Sequence, residues 1–395
     1  MLVRPIADAE RPAAAELFAV AFESPLDRST LPAPERNRPQ IWAAFSDAGE
    51  IMSTIYITDF AVQFDGAVCK MGSIGGVASL PQHRRSGGIR ACFRQALPQM
   101  YRDGYVFSYL FPFSTAYYRK FGYESCVQRY RTVVHLPQLP PLKDAGTLRL
   151  ASPAAPLLDE VRALDAQWEA YYNMSVQHTA ADYDWLLQCD PAAKQEFTYV
   201  WFDASGTPKA YTTFRLALEP DGRNLVCSRF CFSSPEGYHG LMTLFSRLAA
   251  DHQYVKFRIP AEPAIQYLMP EWSLGAVCWE LEPAGMVRVI NAAEALRRAR
   301  YRGSGTITLR LHDAQIPEND GCFSVRFEHD RAVCVSRTDA QPDAELEISA
   351  FSALLCGVCR FDMAKRFFPA LRVFCDDGRL EQVFFEKSLM ITDYF

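Results

Sequence analysis

Along the first third of the chain the apolar positions change period several times. Leu2 to Ile6 alternates as a short opening strand, and ERPAAAELFAVAF (10–22) carries helical spacing with Asp8 near its start. MSTIYITDFAVQFDGAVCKMGSIGGVASL (52–80) reads as two or three strands, with a hairpin turn at Phe64-Asp65-Gly66. GGIRACFRQALPQMYRDG (87–104) then predicts an amphipathic helix, since Ile89, Cys92, Phe93 and Leu97 share one stripe. Pro98 is expected to bend or shorten it. A strand, YVFSYLFPF (105–113), and a short helix, STAYYRKFG (114–122), follow, the latter stopped by Gly122.

Residues 1–135 therefore read as one mixed α/β unit. The proline-rich stretch around 136–147 reads as a linker. Between 148 and 285 the same order of elements recurs weakly: strand, helix, a hairpin turning at Ser205-Gly206, then strand, helix, strand. This predicts a degenerate internal duplication. Residues 286–395 change pattern, with a short helix, alternating strands such as FSVRFEHD and RAVCVSR, and an apolar helix over ISAFSALLCG. A separate α+β domain is expected there.

Composition narrows the class without deciding it. Hydrophobic residues make up 49% of the chain and charged ones 22%, as in ordinary globular proteins. A net charge of −5 offers no basic face for nucleic acid. No run approaches the roughly 18 apolar residues of a membrane helix, and the acidic start is unlike a secretory signal. A cytoplasmic protein with no membrane partner is the expectation. The cysteines are scattered, and Cys356-x-x-Cys359 sits in an apolar run without a second pair or a nearby His, so no metal is expected. His83 borders the most suggestive loop, but the histidines show no ligand spacing.

That loop lies in GGVASLPQHRRSGGIRACF. A strand through Val77, Ala78 and Ser79 runs into Arg84, Arg85, Ser86, Gly87 and Gly88, and a helix starts at once. Small residues admit a ligand close to the backbone, and the first N–H groups of a helix favour an anion. Two arginines add charge, which makes a pyrophosphate cradle. The Rossmann glycine pattern and the Walker loop are both missing. An ordinary strand-to-helix turn with basic surface residues accounts for the same letters, so both readings stand at this point. A second motif, YYRKFGYES, puts Tyr118 near the end of the short helix. A phenol there can protonate a departing thiolate, since both groups titrate in the alkaline range; alternatively it is a half-buried tyrosine packed on Phe121.

The spacing of Arg84, Gly87 and Ile89 resembles the Arg-x-x-Gly-x-small pattern of the Gcn5-related N-acetyltransferases (GNAT), although Ile89 stands where Gly or Ala is usual. Taken with YYRKFGYES and the three-domain layout, the whole chain resembles the enhanced-intracellular-survival (Eis) family of acetyltransferases. The resemblance implies tandem GNAT-fold domains and a C-terminal domain similar to sterol carrier proteins. It implies acetyl-CoA as co-substrate, bound through Val77, Ala78, Ser79, Arg84, Arg85, Gly87 and Gly88, with Tyr118 as the acid. It also implies a base formed by the carboxylate of a terminal Phe, here Phe395, and a hexameric assembly. A family serine near the thioester is replaced by Phe113, with Ser114 adjacent. Glu23, Asp27 and Asp393 are candidates for attracting a cationic amine. The second unit has Pro235 and Glu236 where a cradle would be, so no coenzyme A is expected there. The expected function is acetyl transfer to a primary amine, of a polyamine, an aminoglycoside-like molecule or lysine. The alternatives are a non-catalytic binder of apolar ligands and a protein lysine acetyltransferase.

Overall fold

A computed structural model describes residues 1–26, 38–139, 145–262, 267–268, 275–369, 371–375, 378–391 and 393. They fall into two compact units. The first comprises Met1–Val127, Ala284–Lys387 and the tail from Ile391; the second comprises Gln128–Pro283 and Ser388–Met390. The folding pattern is mixed α/β, with three mixed sheets.

The sheet that positions the candidate site is in the first unit. Its strands are β1 (Leu2–Pro5), β2 (Gln40–Phe45), β3 (Ile51–Phe64), β4 (Ala67–Ser79), β5 (Phe107–Leu110) and β6 (Glu124–Ser125). A seventh strand, β14 (Met286–Val289), enters between β5 and β6. β3 and β4 form a hairpin through the two-residue turn Asp65-Gly66, and β4 follows β3 almost to its end. On its other edge β4 pairs with parallel β5 only from Met71↔Phe107 to Ile74↔Leu110. Beyond Ile74 the two strands fork.

The helix Gly88–Arg102 covers one face of this sheet, burying Cys92, Phe93, Ala96, Leu97 and Met100 in the stripe the sequence predicts. It runs through Pro98 instead of stopping there. The ring removes the donor to the carbonyl of Arg94, and Arg94 is exposed, so water can satisfy that oxygen.

A five-stranded sheet completes the first unit: β15 (Gly305–His312), β16 (Gly321–Glu328), β17 (Arg331–Arg337), β18 (Ala344–Glu347) and β19 (Arg372–Val373). A helix at Ile348–Cys356, apolar on nearly every side, is buried along nearly its whole length. Two buried ion pairs tie this region to the first sheet. Arg288 on β14 donates to both oxygens of Asp313 at 2.8 Å, with both side chains fully buried. At the β3–β4 turn Asp65 accepts from Lys387 Nζ and from the Arg300 N–H, each at 2.7 Å.

The second unit holds β7 (Gln128–His135), β8 (Thr147–Leu150), β9 (Glu196–Phe202), β10 (Pro208–Glu219), β11 (Gly222–Phe232), β12 (Tyr254–Pro260) and β13 (Val277–Pro283). Their order in the sheet is β13-β7-β12-β11-β10-β9-β8. Helices Leu158–Tyr171 and Pro235–Ser246 pack on it. Thus β7, which the sequence pattern groups with the first unit, pairs with β12 and β13 in the second sheet. The place a strand would take beside β5 goes instead to β14, whose four residues Met-Val-Arg-Val are all buried.

Candidate functional site

The fork between β4 and β5 is where the candidate residues gather. Leu80 N–H reaches back to Met52 O at 3.1 Å. Main-chain groups alternate direction along an antiparallel ladder, so Ser79 and Val77 turn theirs away from β3, toward the side where β5 has ended. Ser79 is steadied by a 2.7 Å hydrogen bond between its hydroxyl and that of Ser53.

The backbone then makes a short turn at Pro81–His83, and Ser86 Oγ donates to His83 O at 2.7 Å. Arg85 has φ +66, an unfavourable value for a residue with a Cβ. Gly87, at φ +89, is the N-cap, and no side chain caps the helix behind it. Gly88 is pressed onto β3, where a Cβ would collide with the Ser53 hydroxyl. The helix opens with the bond from Ala91 N to Gly87 O at 3.0 Å, leaving the amides of Gly88, Ile89 and Arg90 at the open end. Arg84 and Arg85 are exposed, and neither has an acidic partner among the described residues. Free donors, the helix dipole and two arginines without acidic partners among the described residues thus occupy one short stretch of backbone.

Tyr118 stands on the helix Thr115–Arg119, whose N-cap is Ser114: its Oγ accepts from Tyr117 N at 3.3 Å. Ser114 therefore has a structural role as a cap. The Tyr118 ring is 2% exposed and lies edge-on to Phe93 of the cradle helix, centroids 6.2 Å apart. Val77, Ile89, Tyr117 and Tyr118 all belong to one apolar cluster, which brings the strand, the cradle helix and the tyrosine together. No hydrogen bond engages the Tyr118 hydroxyl among the described residues. Burial, with Tyr117 and Tyr123 nearby, raises its pKa above that of a free phenol, so it holds its proton. Phe113 is 73% exposed, with its ring 5.3 Å from both Tyr117 and Tyr118.

The other candidates are less drawn together. Glu23 is exposed at the end of the first helix, Asp393 is half-buried, and Asp27 and Phe395 lie outside the described residues. Nearer the tail, Ile391 is buried, and a Cβ on Gly285 would lie 3.3 Å from its Cδ1 and 3.6 Å from Leu110 O. The tail therefore passes the end of β5, where the fork opens. Cys356 is buried in its helix, and among the described residues no three His, Cys, Asp or Glu gather as a metal site. No described helix is long and apolar enough to cross a membrane.

Two supporting residues have no local signature in the sequence. Ser53 sits on a strand far from the loop it braces. Arg288 explains Gly122, where φ is +83 and a Cβ would strike the buried guanidinium. Only the Phe-Gly-Tyr motif hints that something lies close to that glycine.

The sequence matches the acetyltransferase (GNAT) domain over residues 2–126 and a second acetyltransferase (GNAT) domain over 175–289, and the sterol carrier protein domain over 292–388. No curated protein sequence matches the chain. Among solved structures, it is similar to a conserved protein of unknown function from Enterococcus faecalis V583, with TM-score 0.86 and 21% identity over 100% of this chain and 99% of that one. A GCN5-related N-acetyltransferase from Anabaena variabilis gives 0.85 at 16% identity, covering 100% of both chains. Eis1 from Mycobacterium abscessus gives 0.79 at 19% identity, again over 100% of both. At such identities the likeness speaks for the fold, while the domain matches speak for the class. Two GNAT domains followed by a sterol carrier protein domain make this chain a GNAT acetyltransferase with an Eis-like architecture.

Proposed function

We propose that the chain transfers the acetyl group of acetyl-CoA to a primary amine by direct attack in a ternary complex. The observation that carries this is the uncapped start of helix Gly88–Arg102, with Arg84 and Arg85 lacking acidic partners among the described residues, in one cluster-linked site with buried Tyr118. The diphosphate of the cofactor lies against Arg84, Arg85, Gly87 and Gly88. Its pantetheine arm extends beside Val77, Ala78 and Ser79, continuing the ladder β5 abandons. Amides of Val77 and Ser79 polarise the thioester carbonyl and hold the developing oxyanion.

An amine is protonated near neutral pH and must lose that proton before attack. The carboxylate carried by Phe395 takes it, directly or through water. Support comes from Ile391, packed near the end of β5; four extended residues beyond it reach at most about 14 Å. The nitrogen then bonds to the carbonyl carbon, the C–S bond breaks, and Tyr118 passes its proton to the leaving sulfur. Its raised pKa suits a group that must arrive protonated. The partner is a small amine; cytoplasmic residence and a hexameric assembly belong to the same reading.

The test is thiol release from acetyl-CoA with a panel of polyamines, aminoglycosides and lysine peptides. Tyr118→Phe should lower kcat by about 10²–10⁴-fold with cofactor affinity retained, and residues appended after Phe395 should lower it as well. A protein that fails to bind acetyl-CoA overturns the reading. Turnover indifferent to both changes removes the assigned acid and base.

A further inference from the structure

We propose that the second unit binds an organic ammonium ion, a primary or secondary amine on an apolar stem, in the cavity at the start of helix Pro235–Ser246. The cavity has a volume of about 410 Å³, suited to a small molecule. The rings of Trp168, Tyr171, Tyr172 and Phe232 form its walls, with Glu262 and Ser234 as polar groups. Trp168 and Tyr172 are buried, 5.4 Å apart between ring centroids, and Trp168 meets Phe232 edge-on at 5.7 Å. Tyr171, 64% exposed, stands at the rim. Ring faces gathered in this way attract a cation.

The sign of the ligand follows from what surrounds the helix start. In topology this junction, from β11 into the helix, is the counterpart of the cradle, yet it is unsuited to phosphate. No Lys or Arg lines the cavity. Pro235 offers no N–H, and Ser234 Oγ already accepts from Gly237 N at 3.2 Å. Glu236 adds a carboxylate whose pKa is lowered by its own main-chain N–H and by Ser234. The positive end of this helix is thus already answered.

Glu262 supplies the negative charge of the cavity wall. One of its oxygens accepts the Tyr172 hydroxyl at 3.2 Å. The other is screened from water and has no hydrogen-bond partner among the described residues. An ammonium N–H in the cavity brings the opposite charge to this carboxylate and a second donor to the oxygen that Tyr172 already meets. That favours an amine with N–H groups over a quaternary ion, and the aromatic walls favour an alkyl or aryl stem.

Calorimetric titration of the full-length protein with phenethylammonium chloride, without acetyl-CoA, tests this independently of acetyl transfer. Binding should weaken at least about tenfold in Glu262→Gln and about two- to fivefold in Tyr171→Ala. It should be unchanged in Tyr118→Phe, and tetramethylammonium should bind more weakly. Tyr171 is exposed, so its variant keeps the test valid should Glu262→Gln misfold. Absence of binding overturns the proposal, as does affinity indifferent to both cavity substitutions or tetramethylammonium binding as tightly. None of these outcomes touches the transfer reading, which is read by turnover.

Discussion

Two strand-to-helix junctions in this chain share a backbone plan and differ in almost everything a ligand would meet. In both, the strand runs on beyond its pairing with its parallel neighbour: β4 continues past Ile74 to Ser79, and β11 past Val226 to Phe232. In both, a threonine hydroxyl on the antiparallel partner crosses to a carbonyl, Thr54 to Gly76 at 3.1 Å and Thr212 to Arg229 at 2.9 Å, close to a shift in register. The helix starts then diverge. One has an uncapped glycine and two arginines; the other has Ser234 as cap, a proline and Glu236. The fork is a property of main-chain pairing and tolerates sequence drift. On the proposed reading, affinity for an anion rests on a handful of positions, and a proline without an N–H and a glutamate at the helix start both work against it.

Substitutions can press on this difference in order of expected effect. Gly122→Ala should cost the most, since the new Cβ strikes Arg288 at a positive φ and disturbs its buried pair with Asp313. About 3–5 kcal/mol is expected for unseating such a pair, visible as a lower urea midpoint. Gly87→Pro puts a proline one position ahead of the place Pro235 takes at the second junction, and its ring cannot adopt φ +89. Acetyl-CoA affinity should fall on the order of 100-fold by calorimetry, through loss of the helix-start donors. Arg84→Ala with Arg85→Ala should weaken the cofactor about tenfold and flatten the salt dependence of binding, because exposed charges act through screened fields. Glu236→Gly should change least: one acetyl-CoA per chain before and after. A second equivalent appearing would break the comparison.

Much of this architecture is legible from local pattern. Period-two alternation marks β3, β4 and the β9–β10 hairpin, and the stripe of Ile89, Cys92, Phe93 and Leu97 marks the cradle helix. Pairing partners are another matter. Gln128–His135 and Met286–Val289 carry Val, Thr and Tyr suited to strands, but nothing in either segment tells which sheet will take it; that choice is made by the edge each finds open and the core each fills. The cradle was readable because its glycines and arginines are consecutive. Ser53, Arg288 and Glu262 act across long sequence distances, so no window of residues contains both partners. Phe113 could be seen as a departure from the family, whereas Ser114 becoming a helix cap emerges only from the geometry.

The entry of β14 into the first sheet carries a consequence for how the molecule is made. On the ribosome, β1 to β6 emerge early, yet the gap beside β5 stays unfilled until residue 289 has been polymerised, with Gln128–Pro283 of the second unit synthesised in between. Completion of the first sheet is thereby timed by the chain that interrupts it. A fragment cut at His135 would expose the β5 edge to any passing strand and present β7 without a partner, a state prone to aggregate.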